Sequence, residues 1–273
     1  MSKLLPMLVG WLLSCLAFGG TPTRPSFESA SRWSVEEERL AYRMKWGIIH
    51  VADARTETQF IESGGRRFLA IRIRVKTTPF VAHIFPLNDY VESLVDPETF
   101  LPVQYEQKLK EGRDFRHEIV RFDHAKRKAY WKNVTKGREG EFEIQPDTRD
   151  VVSFMWYIRT RGVRTLYAEE ALKFTVVVDN QVYDLSIRGQ RYEDIRLPLV
   201  GRFKALRLEP VAKFGQIFVR KGRIWLWISD DARCVCAKMA VRLKVCSLKG
   251  YLVSVTGGEQ DIWSSPGPGR GRR

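Results

Sequence analysis

Paired carboxylates are the first candidates for a catalytic role in this sequence, because two carboxyl groups can act as general acid and general base. Asp89 and Glu92 stand three positions apart, and Asp96 follows at the start of a proline-containing turn sequence. On a strand, side chains three positions apart point to opposite faces, so Asp89 and Glu92 do not form a pair. Turn and surface roles are favoured, and acid–base chemistry would require two or more of Asp89, Asp96, Asp230 and Asp231 to converge in one cleft.

Other catalytic and cofactor-binding patterns do not occur in the sequence. Ser153 has no Gly-x-Ser-x-Gly elbow around it, and no phosphate loop, dinucleotide fingerprint or metalloprotease helix is present. The four histidines lack metal-ligand spacing. Cys234 and Cys236 would lie on one face of a strand, a geometry that resists a direct bridge. We expect no enzyme activity, cofactor or metal, and interpret the cysteines as core or edge residues, with a disulfide to Cys246 as the alternative.

Aromatic and basic residues are better suited to contact a ligand. Trp156, Tyr157 and Arg159 lie close together in one segment, and on a helix near a barrel mouth they would contact a bound molecule. Trp225 and Trp227 share one face of a predicted strand and would line an apolar cavity. The favoured interpretation is that these rings fill an ordinary core and that Arg159 forms an ion pair, with ligand contact as the alternative.

The segment that holds the first of these groups predicts a helix over Asp150–Arg161, because its apolar residues recur with helical spacing. Asp150 is a good N-cap, since its carboxylate can accept hydrogen bonds from the free amide groups of the first turn. Gly162 suits the end of the helix. A second short helix is predicted from about Ala168 to Leu172.

Alternation of apolar and polar residues predicts strands along most of the remaining chain, separated by glycine-containing or Asp-Asn turns. The predicted strands cover residues 40–46, 51–60, 69–75, 103–110, 115–123, 129–134, 141–144, 174–178, 182–188, 203–208, 217–220, 223–228, 235–244 and 251–256. We therefore predict a mainly β domain over residues 37–256. It would be a single antiparallel curved sheet, or an open or closed β-barrel, of about 10–12 strands with one or two helices.

Residues 1–20 resemble a secretory signal, in which Lys3 precedes the apolar stretch Leu4–Leu13. That stretch is far shorter than the ~20 residues that span a bilayer. Three outcomes are open: lipidation of Cys15 after a lipoprotein-like box, cleavage after Gly19, or an apolar start that is never cleaved. Residues 21–36 would form a flexible tether, and residues 257–273 a disordered basic tail. We expect an exported protein, either periplasmic or a membrane-anchored lipoprotein.

The formal net charge of +14, from 46 basic and 32 acidic residues, bears on the partners of such a protein. Basic residues that alternate along strands are typical of a solvated outer face, and they also favour an anionic partner such as a lipid or another envelope component. Membrane contact through a lipid anchor is expected if Cys15 is processed. No zinc-finger spacing, aromatic RNA-binding motif or compact basic helix occurs, so no nucleic acid is expected.

Four motifs, in order along the chain, resemble a known bacterial family. They are Pro86–Pro102 (PLNDYVESLVDPETFLP), Arg116–Asp123 (RHEIVRFD), Asp150-x-x-Ser153-x-x-x-Tyr157-x-Arg159 and Ile224–Asp231 (IWLWISDD). Together they resemble the family named domain of unknown function 3108, over about Glu37–Val255. The resemblance implies exported proteins, often predicted lipoproteins, with a β-rich fold similar to the open-barrel lipoprotein carriers, and it implies no activity. The sequence departs from the family pattern at residues 234–236, where a proline-containing stretch is expected.

These observations favour a non-enzymatic cell-envelope protein that binds or carries a lipid or another amphiphile in a β-barrel. One alternative is an assembly or scaffold protein that binds another protein or a glycan, and a second is a hydrolase acting on envelope glycans or lipids. A cavity wide enough for an acyl chain would favour the carrier. A solid core with an exposed apolar patch would favour the scaffold, and converging carboxylates the hydrolase.

Overall fold

One meandering sheet accounts for most of the chain. The computed structural model describes residues 37–168, 172–212, 223–242 and 247–257. Its strands are β1 (Arg39–Trp46), β2 (Ile49–Ser63), β3 (Arg66–Thr77), β4 (Asn88–Val95), β5 (Pro102–Glu111), β6 (Asp114–Asp123), β7 (Lys128–Asn133), β8 (Arg138–Glu143), β9 (Arg149–Asp150), β10 (Leu172–Val178), β11 (Gln181–Leu197), β12 (Gly201–Ala212), β13 (Arg223–Ser229), β14 (Cys236–Arg242) and β15 (Ser247–Thr256). The helices are α1 (Pro79–Ala82) and α2 (Val151–Ala168).

The first and last strands join in the middle of this sheet. The spatial order runs from β8 down to β1, passes to β15, and then runs down to β9. All neighbouring strands are antiparallel except β9 and β10, which are parallel. Within the described residues the sheet stays open, because its edge strands β8 and β9 do not pair with each other. It is nevertheless curled, since Ser93 of β4 donates a 2.6 Å hydrogen bond to the Asp150 carboxylate of β9. The prediction of one curved antiparallel sheet is confirmed, in its open form.

Two tight turns lie where the sequence predicts hairpins. Gly64 and Gly65, between β2 and β3, have φ angles of 59° and 72°. Asp179 and Asn180, between β10 and β11, have φ angles of 45° and 61°. Two consecutive residues with positive φ form the type I′ turn, whose twist matches that of the paired strands.

Helix α2 begins where the sequence predicts but ends later. Asp150 caps it by accepting hydrogen bonds from two amide groups of the first turn, at 2.7 and 2.9 Å. Gly162, with φ 69° and ψ 148°, interrupts the helix, and helical geometry then resumes as far as Ala168. Of the predicted second helix from Ala168 to Leu172, Ala168 ends α2 and Leu172 begins β10, while residues 169–171 lie outside the described ranges.

The number of strands also differs from the prediction. The described residues form fifteen strands rather than about 10–12. Strand β4 lies inside the motif Pro86–Pro102, where the sequence analysis considered Asp89 and Glu92 on a strand but did not include that strand among those predicted, and β9 has only two residues. Several predictions concern residues outside the described ranges: the signal at 1–20 with Cys15, the tether at 21–36, the strand at 217–220, Cys246, and the tail after Gly257.

The concave face of the sheet and α2 enclose the core. Phe154 and Ile158 of α2 pack with apolar residues of β10 to β13, whereas Trp156 packs with residues of β3 and β4. Cys234 and Cys236 are buried in the first of these groups and carry free thiols. Two of the three cysteines of the predicted domain therefore have the core position that the sequence analysis favoured.

A candidate apolar ligand site

An apolar cavity lies between α2 and the concave face of the sheet. It measures about 220 Å³ and is partly open to solvent. For comparison, an apolar cavity of about 150 Å³ in another protein binds benzene, and a single water needs only roughly 10–15 Å³. Both halves of the sheet and the helix supply its walls, for example through Tyr42 of β1, Val75 of β3, Leu226 of β13 and Phe154 of α2. The cavity is therefore suited to an apolar molecule or to the apolar chain of an amphiphile.

The cavity reaches one end of the barrel, which we call the mouth end. The β1–β2 turn, the β3–β4 connection and the β5–β6 turn lie at this end. Residues at the strand ends line the cavity there, namely Met44, Val51, Thr77, Leu87 and Leu248. The opposite end, which we call the closed end, holds the start of β1 and the β13–β14 turn.

A buried ion pair fills the closed end. Arg159 of α2 donates hydrogen bonds to both carboxylate oxygens of Glu38, each at 2.8 Å, and to the Arg233 carbonyl oxygen at 3.1 and 3.2 Å. The two side chains are only 4% and 1% exposed. Burial opposes the guanidinium charge, but the Glu38 carboxylate outweighs that effect and raises the pKa of Arg159. Among the described residues that line the cavity, Arg159 is the one charged side chain, and Glu38 neutralises it.

Two polar atoms of the cavity wall have no hydrogen-bond partner within the described part of the chain. They are Nε1 of Trp156 and Oγ1 of Thr56. Buried polar groups in folded proteins usually have a partner, and an unpaired one costs roughly 1–3 kcal/mol. Both atoms are covered by neighbouring protein atoms, so a ligand in the cavity reaches them only if the wall moves.

A pair of carboxyl groups lies at the mouth end. Asp89 stands on β4 between Leu87 and Val91, which line the cavity, and its Oδ1 accepts a 2.8 Å hydrogen bond from the Lys110 amide. The other oxygen of Asp89 and one oxygen of Glu111 are buried without a partner among the residues described. Burial raises the pKa of Asp89 to about 6. Burial and the charge of Asp89 raise the pKa of Glu111 to about 7. The surface role favoured for Asp89 is wrong, because this side chain is buried.

The three contact residues predicted on α2 have different surroundings. Trp156 and Arg159 line the cavity, whereas Tyr157 does not. The Arg149 guanidinium lies 3.7 Å from the centroid of the Tyr157 ring, which meets the Phe174 ring edge-on at 6.0 Å. Tyr157 is rotated by about 100° from Trp156 around the helix, and its ring packs against Phe174 instead of the cavity.

Trp225 and Trp227 share one face of β13, as the alternation predicts, but it is the outer face. Leu226 between them lines the cavity, so the two indoles point away from it. Both are nevertheless buried in an apolar cluster that includes Ile195 and Ala205. Cationic side chains lie near the rings as well: Arg223 is 5.1 Å from the Trp225 ring and Lys238 is 4.0 Å from the Trp227 ring. Trp225 and Trp227 therefore belong to a core, which is the interpretation that the sequence favoured, and they do not line the cavity.

The carboxylates considered for acid–base chemistry do not converge around the cavity. Asp89 and Asp96 lie at opposite ends of β4, about 23 Å apart along the strand. Asp96 accepts hydrogen bonds from amide groups of its own turn at 3.0 and 3.1 Å, as a turn residue should. Asp231 does the same in the β13–β14 turn, and Asp230 lies 4.0 Å from the Lys204 ammonium group. Within the described ranges, no group of three or more His, Cys, Asp or Glu side chains could hold a metal ion.

The serine and cysteine side chains in this region are either hydrogen-bonded or uncharged. Ser153 is completely buried and donates a 3.0 Å hydrogen bond to the Asp150 carbonyl oxygen. Burial raises the pKa of Cys234 to about 11 and that of Cys236 to about 12. Both thiols are therefore protonated near neutral pH, which makes them poor nucleophiles.

Sequence reasoning missed three residues of this site: Glu38, Thr56 and Glu111. Glu38 pairs with a residue 121 positions away, a contact that no local pattern indicates. Thr56 did carry a usable signal, since it occupies an inward position on the alternating strand β2. Glu111 lies in a turn sequence and meets Asp89 only because β4 and β5 are neighbours.

Together the open sheet, the internal helix and the cavity define a β-barrel-like protein. A family model described as "Protein of unknown function (DUF3108)" matches residues 41–253. The chain therefore belongs to this family, as the sequence motifs predict. No curated protein matches the chain.

Among solved structures, the chain is similar to a protein described as a "Beta-barrel-like Protein of Domain of Unknown Function DUF1849" from Brucella abortus. The two are 11% identical with a TM-score of 0.53, and the match covers 81% of this chain and 97% of that chain. At this level of identity the likeness concerns the fold alone. In the part of the chain that the structure describes, no helix is long and apolar enough to cross a membrane.

Proposed function

We propose that this protein is a non-enzymatic cell-envelope protein that binds or carries a lipid or another amphiphile. The apolar part of the ligand would occupy the cavity between α2 and the sheet. The observation that carries the proposal is this cavity of about 220 Å³, whose walls are apolar and whose one charged residue, Arg159, is already paired with Glu38. Small-molecule sites are typically concave and mostly apolar, with a few polar groups that orient the ligand.

The composition of the wall narrows the ligand class. Nearly all of the residues that line the cavity are apolar, which favours the acyl chain of a lipid over a polar ligand. Arg159 donates to Glu38 and to Arg233, so we do not expect it to bind an anionic head group. A charged head group would therefore stay outside the cavity, at the mouth end.

Location in the envelope is part of the same proposal. Its support is the signal-like sequence of residues 1–20, with Cys15 as the lipidation candidate, together with the net charge of +14. Mass spectrometry of the N-terminus would distinguish a lipid on Cys15 from a cut after Gly19. A start at Met1 would contradict export by either route.

The test of ligand binding is to purify the protein from its native host, extract it with organic solvent and analyse the extract by mass spectrometry. We expect one class of acyl-chain amphiphile in near-stoichiometric amount. A protein that is recovered empty, and that takes up no diacyl phospholipid or fatty acid when these are added, would overturn the proposal.

A matched pair of variants ties the ligand to the cavity. Ala54 lines the cavity on β2, so Ala54→Phe places a ring in the space that the ligand would fill. Ala41 on the neighbouring strand β1 does not line it, which makes Ala41→Phe the control. We expect Ala54→Phe to reduce the amount of bound amphiphile about tenfold or more, equivalent to ~1.4 kcal/mol, and Ala41→Phe to retain it. Equal loss or equal retention in the two variants would place the ligand elsewhere.

A further inference from the structure

Among the residues that the structure describes, six large apolar side chains are exposed at the mouth end, and we call them the apolar rim. Exposed apolar residues that form a group, rather than occurring singly, mark an interaction surface. The most exposed are Ile48 at 94%, Ile84 at 79% and Phe80 at 76%. The complete rim is Trp46, Ile48 and Ile49 at the β1–β2 turn, Phe80 and Ile84 in the β3–β4 connection, and Phe115 after the β5–β6 turn.

The three connections that carry the rim are neighbours. The Thr78 amide donates a 3.0 Å hydrogen bond to the Val51 carbonyl oxygen, which joins the β3–β4 connection to the start of β2. The Gly112 amide donates a 2.7 Å hydrogen bond to the Pro86 carbonyl oxygen, which joins the same connection to the β5–β6 turn. The rim is therefore one continuous surface rather than three separate tips.

The fold holds the rim side chains outward. In the β3–β4 connection, Val81 and Phe85 pack against the core, while Phe80 and Ile84 point to solvent. Hydrogen bonds from the amides of Ile84 and Phe85 to the Val81 carbonyl oxygen, at 3.0 and 2.8 Å, fix this arrangement. The connection thus presents two apolar side chains while it uses two others to anchor itself.

Basic side chains surround the rim. Lys76, Lys110, Arg113 and Lys249 lie on the strand ends and turns of the mouth end, and all four are exposed. None of them takes part in an ion pair within the described residues. Asp53, which stands opposite Lys76 and lies 2.9 Å from His50, and Asp114 are exposed beside them, so basic side chains outnumber acidic ones there. An anionic surface would complement this ring of charge.

We propose that the mouth end docks on a bilayer that contains anionic phospholipid, with the apolar rim in the interfacial region and the basic residues against the head groups. Interfacial binding increases with buried apolar area and with attraction to anionic lipid, and the mouth end supplies both. The cavity reaches the same end, through Met44, Thr77 and Leu87. Docking would therefore bring the cavity against the source or destination of its ligand, which extends the proposed function.

Hydrogen–deuterium exchange of the full chain provides a local test that a lipid anchor does not disturb. The probe is a vesicle of phosphatidylcholine with about a third phosphatidylglycerol, compared with phosphatidylcholine alone. We expect slower amide exchange at residues 46–50 and 79–85 with anionic vesicles, and no change at residues 198–200. The turn at 198–200 is the internal control, because Leu199 there is 68% exposed at the opposite end of the barrel.

Two matched variants complete the test. Phe80→Ser with Ile84→Ser should raise the vesicle concentration needed for half-maximal protection on the order of a hundredfold, since two large apolar side chains are removed. Leu199→Ser should leave that concentration unchanged. Protection at both ends, or no effect of the double variant, would overturn the proposal, and so would protection by a lipid-free host extract but not by vesicles, which indicates a protein partner.

The outcomes separate this inference from the proposed function. If vesicles slow amide exchange at the apolar rim of a protein that binds no amphiphile, the docking proposal stands and the carrier function is wrong. If an amphiphile co-purifies but vesicles never slow amide exchange at the rim, the carrier function stands and the docking proposal is wrong.

Discussion

At the closed end of the barrel a charged pair is almost completely buried, whereas at the mouth end large apolar side chains are exposed. Each arrangement is unfavourable by itself, because charges lose their hydration and apolar surface meets water. At the closed end the unfavourable term is offset within the chain: Arg159 meets both oxygens of Glu38 and the Arg233 carbonyl. At the mouth end nothing in the described part of the chain covers Ile48, Phe80 or Ile84.

The two ends therefore serve different purposes. A self-satisfied buried network fixes how α2 sits against the sheet, and it needs no other molecule. An exposed apolar surface beside an apolar cavity becomes energetically favourable only when another molecule covers it and removes it from water. We therefore expect substitutions at the closed end to affect folding, and substitutions at the mouth end to affect binding.

The largest effect is expected for Glu38→Gln. This change leaves Arg159 buried without its counter-charge, so we expect the free energy of unfolding to fall by about 3–5 kcal/mol, measured by urea denaturation. The control is Glu57→Gln, because Glu57 forms an exposed pair with Arg39 at 3.9 Å and should contribute about 1 kcal/mol or less. Similar losses in the two variants would show that the buried pair contributes no more to stability than an exposed pair does.

A smaller loss is expected for Asp150→Ala, which tests how the helix is joined to the sheet. Asp150 accepts hydrogen bonds from two amide groups of α2 and from Ser93 across the barrel. Removing these acceptors should lower the free energy of unfolding by about 2 kcal/mol, again measured in urea. Asp150→Asn keeps an oxygen for the amide groups and should lose less. If both variants lose the same amount, the cap contributes nothing and the charge accounts for the whole effect.

The mouth end should show its own dependence on pH through Asp89. Burial raises the pKa of Asp89 from 3.8 to about 6, so the folded state holds this proton more tightly than the unfolded state. Its contribution to stability is therefore complete below about pH 4 and is lost as the pH rises through 6. Asp89→Asn removes the titration, so the stability of the variant relative to the parent should increase by about 1–2 kcal/mol between pH 4 and pH 8. A difference that is constant with pH would contradict the buried carboxyl.

Sequence reasoning could predict much of the fold, because strands and turns are encoded locally. The β10–β11 hairpin depends on adjacent residues, Asp179 and Asn180, and α2 begins at the predicted cap. Strand β9 and the continuation of α2 past Gly162 depend on tertiary contacts instead. Local pattern alone cannot anticipate such elements.

The site was harder to predict because alternation fixes which residues share a face but not which face is concave. Trp225 and Trp227 do share a face, yet that face is the outer one, and cationic side chains lie near it. The sequence did place Trp156 and Arg159 in one group, and both line the cavity. It could not place Glu38 beside Arg159, because only the curvature of the sheet brings the residue before β1 to α2.

The smallest effect on stability is expected at the apolar rim. A small effect there would separate the rim most clearly from the residues that stabilise the fold. Phe80 and Ile84 are 76% and 79% exposed, so the pair of changes Phe80→Ser and Ile84→Ser removes few packing contacts. We expect the free energy of unfolding to change by no more than about 0.5 kcal/mol for each substitution, as is usual for surface positions. Val81→Ser and Phe85→Ser in the same connection form the matched control, since these side chains pack against the core and should lose stability. A rim that proves as important for folding as Val81 and Phe85 would mean that its side chains stabilise the barrel, and the contrast between the two ends would no longer hold.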